Sequence, residues 1–110
     1  KMYIFTASDL LLAKLALKRL KIDQYFHAIY SCDDYGYKKN QPESYLHLID
    51  DIGYKIDDCI VVEDALYAIQ SAKQAGLYVK AIYDKNNDND WSKICQIANQ
   101  NYMSFDEMEV

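Results

Sequence analysis

A chain of 110 residues is long enough for one modest hydrophobic core and too short for two full domains. Its formal charge of −5 argues against a nucleic-acid partner, which calls for a basic surface, while a hydrophobic share of 51% fits a globular protein. No apolar run approaches the roughly 18 residues needed to cross a bilayer, and no signal peptide is read at the start, so neither a membrane nor an export route is expected.

In chain order, MYIF (residues 2–5) predicts a short buried strand, already under way at the first residues. Thr6-Ala7-Ser8-Asp9 then offers an N-cap to a helix over 9–20, with Leu12, Leu15, Ala16 and Leu20 on one side. HAIYSC (27–32) predicts a second strand and DDYGYKKNQ a polar loop. Pro42 suits the first turn of a helix running to about Ile52, which Gly53 ends. CIVV (59–62) predicts a third, buried strand that runs straight into two acids, Glu63 and Asp64. Ala65, Ala68, Ile69, Ala72 and Ala75 then recur at helical spacing over 65–75, and Gly76 stands where a C-cap glycine belongs. YVKAIY (78–83) predicts a fourth strand, DKNNDND a loop, Trp91–Asn99 a helix packed by its tryptophan, and Tyr102–Phe105 a last extended piece.

Strands alternating with helices across short connections predict an α/β class, with a parallel sheet covered by helices on both faces. Residues 1–110 read as one domain, without internal repeat or linker. Cys32, Cys59 and Cys95 are odd in number and widely spaced, so they suit neither a disulfide framework nor a zinc site. Reduced, packed thiols in a cytoplasmic protein are expected. His27 and His47 are isolated and read as surface or core residues.

Ligands of open α/β sheets gather outside the carboxyl ends of the strands. There the chain places Thr6-Ala7-Ser8-Asp9, then Lys38 and Lys39, then Glu63-Asp64, then Asp84. Hydroxyl, backbone amide and ammonium groups can hold phosphoryl oxygens, and carboxylates can hold Mg²⁺. Each also has a plainer use. The first group can cap a helix, the lysines can be solvated loop charges, and the acids can face a helix dipole.

The order of these groups resembles the later motifs of haloacid dehalogenase-like (HAD) hydrolases, in their phosphatase and β-phosphoglucomutase-like branch. YIFTAS resembles the second motif, a strand ending in Thr or Ser. YFHAIYSCDDYGYKKNQPESY resembles the third, a lysine three residues before a proline, which selects Lys39 over Lys38. CIVVEDALYAIQSAKQAG resembles the fourth, a strand, Glu-Asp, and a helix ending Ala-Gly. Asn40, Ala65 and Ala68 depart from the residues common in that family. The first motif, an Asp-x-Asp strand carrying the nucleophile, and the cap domain are not found in the 110 residues.

The resemblance implies a Rossmann-like, three-layer HAD core lacking its first strand and cap, and Mg²⁺-dependent phosphoryl transfer from a small phosphorylated substrate through an aspartyl-phosphate. It assigns Lys39 and Thr6 to catalysis, Thr6, Ala7, Ser8 and Lys39 to phosphate, and Asp64 with Glu63 to the metal. It implies that the 110 residues alone bind Mg²⁺ weakly and are inactive, the nucleophile lying upstream. A non-catalytic HAD-like binding module is the alternative. A receiver domain would carry its acids first and its lysine last, the reverse of the order here. The absent strand would leave the first and third strands flanking a slot. An upstream piece would fill it, or the two strands would pair directly, or a second copy would lend a strand by exchange.

Overall fold

The computed structural model describes residues 1–32 and 38–108, so residues 33–37 of the expected polar loop lie outside the described residues. The chain divides into two compact units, Lys1–Lys38 and Lys39–Val110. In the first, β1 (Tyr3–Thr6) and β2 (Ala28–Ser31) pair in parallel around α1 (Leu10–Arg19) in sequence. In the second, the order is α2 (Pro42–Ile52), β3 (Ile60–Glu63), α3 (Leu66–Gln74), β4 (Tyr78–Ile82), α4 (Trp91–Ile97) and β5 (Gln100–Tyr102). Its three strands are parallel and adjacent in chain order, β3 beside β4 beside β5. The α/β class and the parallel pairing are those the alternation predicted. Among the described residues β1 and β3 belong to different sheets, so direct pairing of the first and third strands is not what is seen. No helix of the described residues is long and apolar enough to cross a membrane.

The second unit owes its core to the helical spacing read at 65–75. Ala68, Ile69 and Ala72 of α3 are fully buried, and Leu77, Val79 and Ala81 meet them from β4 and its approach. Ile94 of α4 and Leu48 and Ile49 of α2 complete the cluster. Each large aliphatic side chain removed from water in this way contributes about 1.5–3 kcal/mol. Small residues at positions 68 and 72 let α3 lie close to the sheet. Two glycines end the flanking helices in the left-handed region, Gly53 at φ 81° after α2 and Gly76 at φ 90° after α3. A side chain at either would be strained by the backbone, although neither has a close neighbour to clash with.

Four expectations are corrected. In α1 the predicted apolar side is not buried: Leu12, Leu15 and Leu20 are exposed, and the half-buried positions are Leu10, Ala13, Ala16 and Leu17. Among the described residues β3 is an edge strand, and Ile60 and Val62 on one of its faces are exposed, so it is not buried on both sides. DKNNDND is not an irregular loop, because Lys85–Asp90 forms a 3₁₀ helix opened by a capping box between Asp84 and Asn87. The last strand also lies earlier than read, at Gln100–Tyr102. Asn99 N–H donates to the Val79 carbonyl at 3.0 Å and Tyr83 N–H to the Tyr102 carbonyl at 2.8 Å, and these bonds fix its register against β4.

Candidate functional site

In the first unit the parallel register sets Thr6 opposite Ser31, at the carboxyl ends of both strands. The Thr6 hydroxyl accepts the Ser8 N–H at 3.0 Å, and the Ser31 hydroxyl donates to the Ser8 carbonyl at 3.1 Å. This pins a tight turn over Thr6-Ala7-Ser8. Asp9 is the N-cap of α1, its carboxylate accepting the Leu12 N–H at 3.2 Å, so the capping use of this stretch is realised at Asp9. The Ser8 amide is engaged within the turn.

In the second unit Lys39 lies in the turn before α2. That turn is fixed by Pro42 at the first helical position and by the buried Ser44, whose hydroxyl donates to the Gln41 carbonyl at 2.8 Å. Lys39 Nζ donates to Glu63 Oε2 at 2.9 Å, with side-chain exposures of 14% and 11%. Glu63 Oε1 accepts the N–H groups of Asp64 and Ala65 at 3.1 and 3.3 Å. These amides lie in the turn between β3 and α3, ahead of the helix's own first N–H groups, which no side chain caps. Glu63 thus pins the turn between β3 and α3 with one oxygen and holds a lysine with the other. Lys38, its neighbour in sequence, is exposed.

Burial by itself would raise the Glu63 carboxyl, but the Lys39 ammonium, its hydrogen bond and the bonds from Asp64 bring it below the ordinary glutamate range. Asp64 is displaced the other way: desolvation, then its hydrogen bond with Glu63 and the charges of Glu63 and Asp84, push it up. Two adjacent carboxyls are driven apart because one has a cation and the other has only anions for neighbours. Lys39, Glu63 and Asp64 line one open cleft of about 350 Å³ together with Tyr83, Asp84 and the exposed Phe105. Tyr83 donates to Asp88 Oδ1 at 2.6 Å and packs edge-on against Trp91 at 5.4 Å. Trp91 thereby packs against the residue that follows β4.

Among the described residues no three His, Cys, Asp or Glu side chains converge to hold a metal ion. The donor chemistry nevertheless suits a hard cation that keeps its waters, as Mg²⁺ does when one or two carboxylates hold it. Asp64 is the better donor of the pair, being exposed, whereas both oxygens of Glu63 already accept hydrogen bonds. Desolvation and Asp58 raise the Cys59 thiol, the opposite of an activated nucleophile. Two residues of this region were not among the sequence candidates: Tyr83, which no pattern marks, and Asn87, which the spacing Asp84-x-x-Asn87 marks as a capping box.

The chain matches the haloacid dehalogenase-like hydrolase family over residues 1–76. It belongs to that family. It is 32% identical over 76 residues to the fructose-1-phosphate phosphatase of Escherichia coli, a match covering 69% of this chain and 40% of that enzyme. Among solved structures, a hydrolase from Pseudomonas syringae is 27% identical with a TM-score of 0.72, over 93% of this chain and 46% of the other. A candidate β-phosphoglucomutase from Thermotoga maritima, 23% identical, has a TM-score of 0.78 over 93% of this chain and 47% of its own, which shows the shared fold. The chain therefore spans less than half the length of each of these proteins.

Proposed function

We propose that the protein is a Mg²⁺-dependent phosphatase or phosphomutase of the HAD family, acting on a small phosphorylated metabolite by way of an aspartyl-phosphate. The observation that carries this reading is the Lys39–Glu63 pair, largely buried and set beside the open carboxylate of Asp64 in one cleft. A lysine held this way is preorganised to neutralise charge on a transferring phosphoryl group, and it loses little freedom when it does so. The E. coli relative acts on fructose 1-phosphate by name, which supports a sugar phosphate as the substrate class.

Within this reading each residue has a distinct task. The Thr6 hydroxyl and the Ala7 amide donate to phosphoryl oxygens, and Ser8 contributes through its hydroxyl, its amide being engaged by Thr6. Asp64 holds the cation, while Glu63 orients Lys39 and reaches the metal only through water. When bound, Mg²⁺ offsets the repulsion between an anionic nucleophile and an anionic substrate. The roles given to this chain are binding, orientation and neutralisation of charge.

The test is phosphate release from an aryl phosphate and from fructose 1-phosphate by the complete protein, with and without Mg²⁺. Lys39→Ala should lower turnover by about 10²–10³-fold, and Lys38→Ala should leave it nearly unchanged. Thermal melts of both variants separate lost chemistry from lost folding. Equal, small losses from the two changes would remove the assignment. Sugar-phosphate binding without turnover in the unaltered protein would favour the non-catalytic module instead.

A further inference from the structure

The carboxamide of Asn87 is buried, 5% exposed, and all of its hydrogen-bonding directions converge on the ends of two strands. Its Nδ2 donates to the Asp64 carbonyl at 2.7 Å and to the Ile82 carbonyl at 3.0 Å. Its Oδ1 accepts the Asp84 N–H at 3.0 Å. One side chain from the 3₁₀ helix thus ties the residue after β3 to the last residue of β4 and to the residue that follows the neighbouring Tyr83. Asp64 and Asp84 both line the cleft that holds Lys39.

We propose that Asn87 is a positioning residue of the candidate active site, a bracket that fixes the Asp64 peptide and with it the direction of the Asp64 carboxylate. The chemistry selects this residue type. A carboxamide offers two donors and an acceptor in one plane, which is what two carbonyls and one N–H require. Aspartate would present only acceptors to the Asp64 and Ile82 carbonyls, and an aliphatic side chain would leave three backbone groups unsatisfied. Asn86, next in sequence, is exposed and serves Asp84 through its backbone alone, which makes it the natural control.

The inference rests on the phosphotransfer reading for its kinetic readout and stands apart from it for its structural one. In the complete protein, Asn87→Ala should lower kcat by about tenfold or more and weaken Mn²⁺ affinity by about tenfold, as loss of a group supporting a ligand does. KM should change less than about twofold, because substrate contacts are untouched. Asn86→Ala should leave all three values as they are. Amide exchange at Asp64, Ala65 and Asp84, followed by NMR, should quicken in Asn87→Ala while exchange at Ile69 and Val79 in the core stays unchanged. Asn87→Ser keeps one donor, should fall between, and carries the test if Asn87→Ala does not fold. Unchanged kcat in a folded Asn87 variant of an active protein would overturn the proposal and leave the phosphotransfer reading intact. If the unaltered protein shows no Mg²⁺-dependent turnover, that reading fails, and the exchange measurement decides alone: quickened exchange confined to the three strand-end amides upholds the bracket, and unchanged exchange overturns it.

Discussion

The two units solve the same local problems with different thoroughness. In Lys39–Val110, α3 buries Ala68, Ile69 and Ala72 completely, and the helices α2 and α3 both stop at glycines in the left-handed region. In Lys1–Lys38, α1 has no buried residue, and its left-handed terminal position is filled by Lys21 at φ 59°. Both helices have strong helix-forming sequences, and α1 is the better capped, since Asp9 serves it while Ala65 cannot serve α3. Capping and propensity decide that a helix forms. They do not decide how much of it is covered.

The largest effect that would break this contrast comes from the cores. Ile69→Ala should cost about 2–5 kcal/mol, because the site is fully enclosed and cannot collapse without moving α3. Leu12→Ala, at a site 64% exposed, should stay within about 0.5 kcal/mol. Urea titration of both variants checks the pair, and similar midpoints would show that α1 is covered in solution.

Next come the helix ends. Gly76→Ala should destabilise by roughly 1–2 kcal/mol through backbone strain alone, its nearest neighbour being Ile56 Cγ2 at 3.9 Å. Lys21→Gly relieves the same strain in α1 and should stabilise by up to about 1 kcal/mol. A destabilised Lys21→Gly would mean that the lysine makes contacts worth more than its strain.

The smallest effect is in the adjacent acids. Glu63 has its folded pKa held below the ordinary 4.5, so its stabilising contribution is present above that pH and is lost as pH falls through the lowered value. Asp64, raised above 3.8, has the opposite sign: its contribution is present at the acid end and is lost as pH rises through the raised value. Acid unfolding of Glu63→Gln should therefore be flatter below about pH 4.5 than that of the unaltered protein, and Asp64→Asn should be slightly more stable at neutral pH. Identical acid profiles would mean that Lys39 does not hold Glu63 in solution.

Much of this was legible in the residues. Pro42 and Gly53 bounded α2, the alanine spacing and Gly76 bounded α3, and the first four strands fell within a residue or two of where β-rich runs placed them. The pairing of Lys39 with Glu63 was legible only as two motif positions, because a separation of 24 positions in sequence carries no signal of contact. The exposure of Leu12 and Leu15 was not legible at all, since periodicity states which residues share a face and not what meets it. Asn87 was missed for a different reason. A run of Asn and Asp reads as loop by composition, and only its capping spacing sets it apart.

The exposed face of β3 bears on the solubility of the chain. Among the described residues β3 stands at the edge of its sheet with Ile60 and Val62 exposed, and an apolar strand in that position is where cross-β stacking starts. Its four apolar residues, CIVV, are bracketed in sequence by Asp57-Asp58 on one side and Glu63-Asp64 on the other. Such flanking charges act as gatekeepers, since stacking copies of the strand in register would stack four like charges with each. The acids proposed above for a metal and a lysine would thus also oppose stacking of this strand on copies of itself.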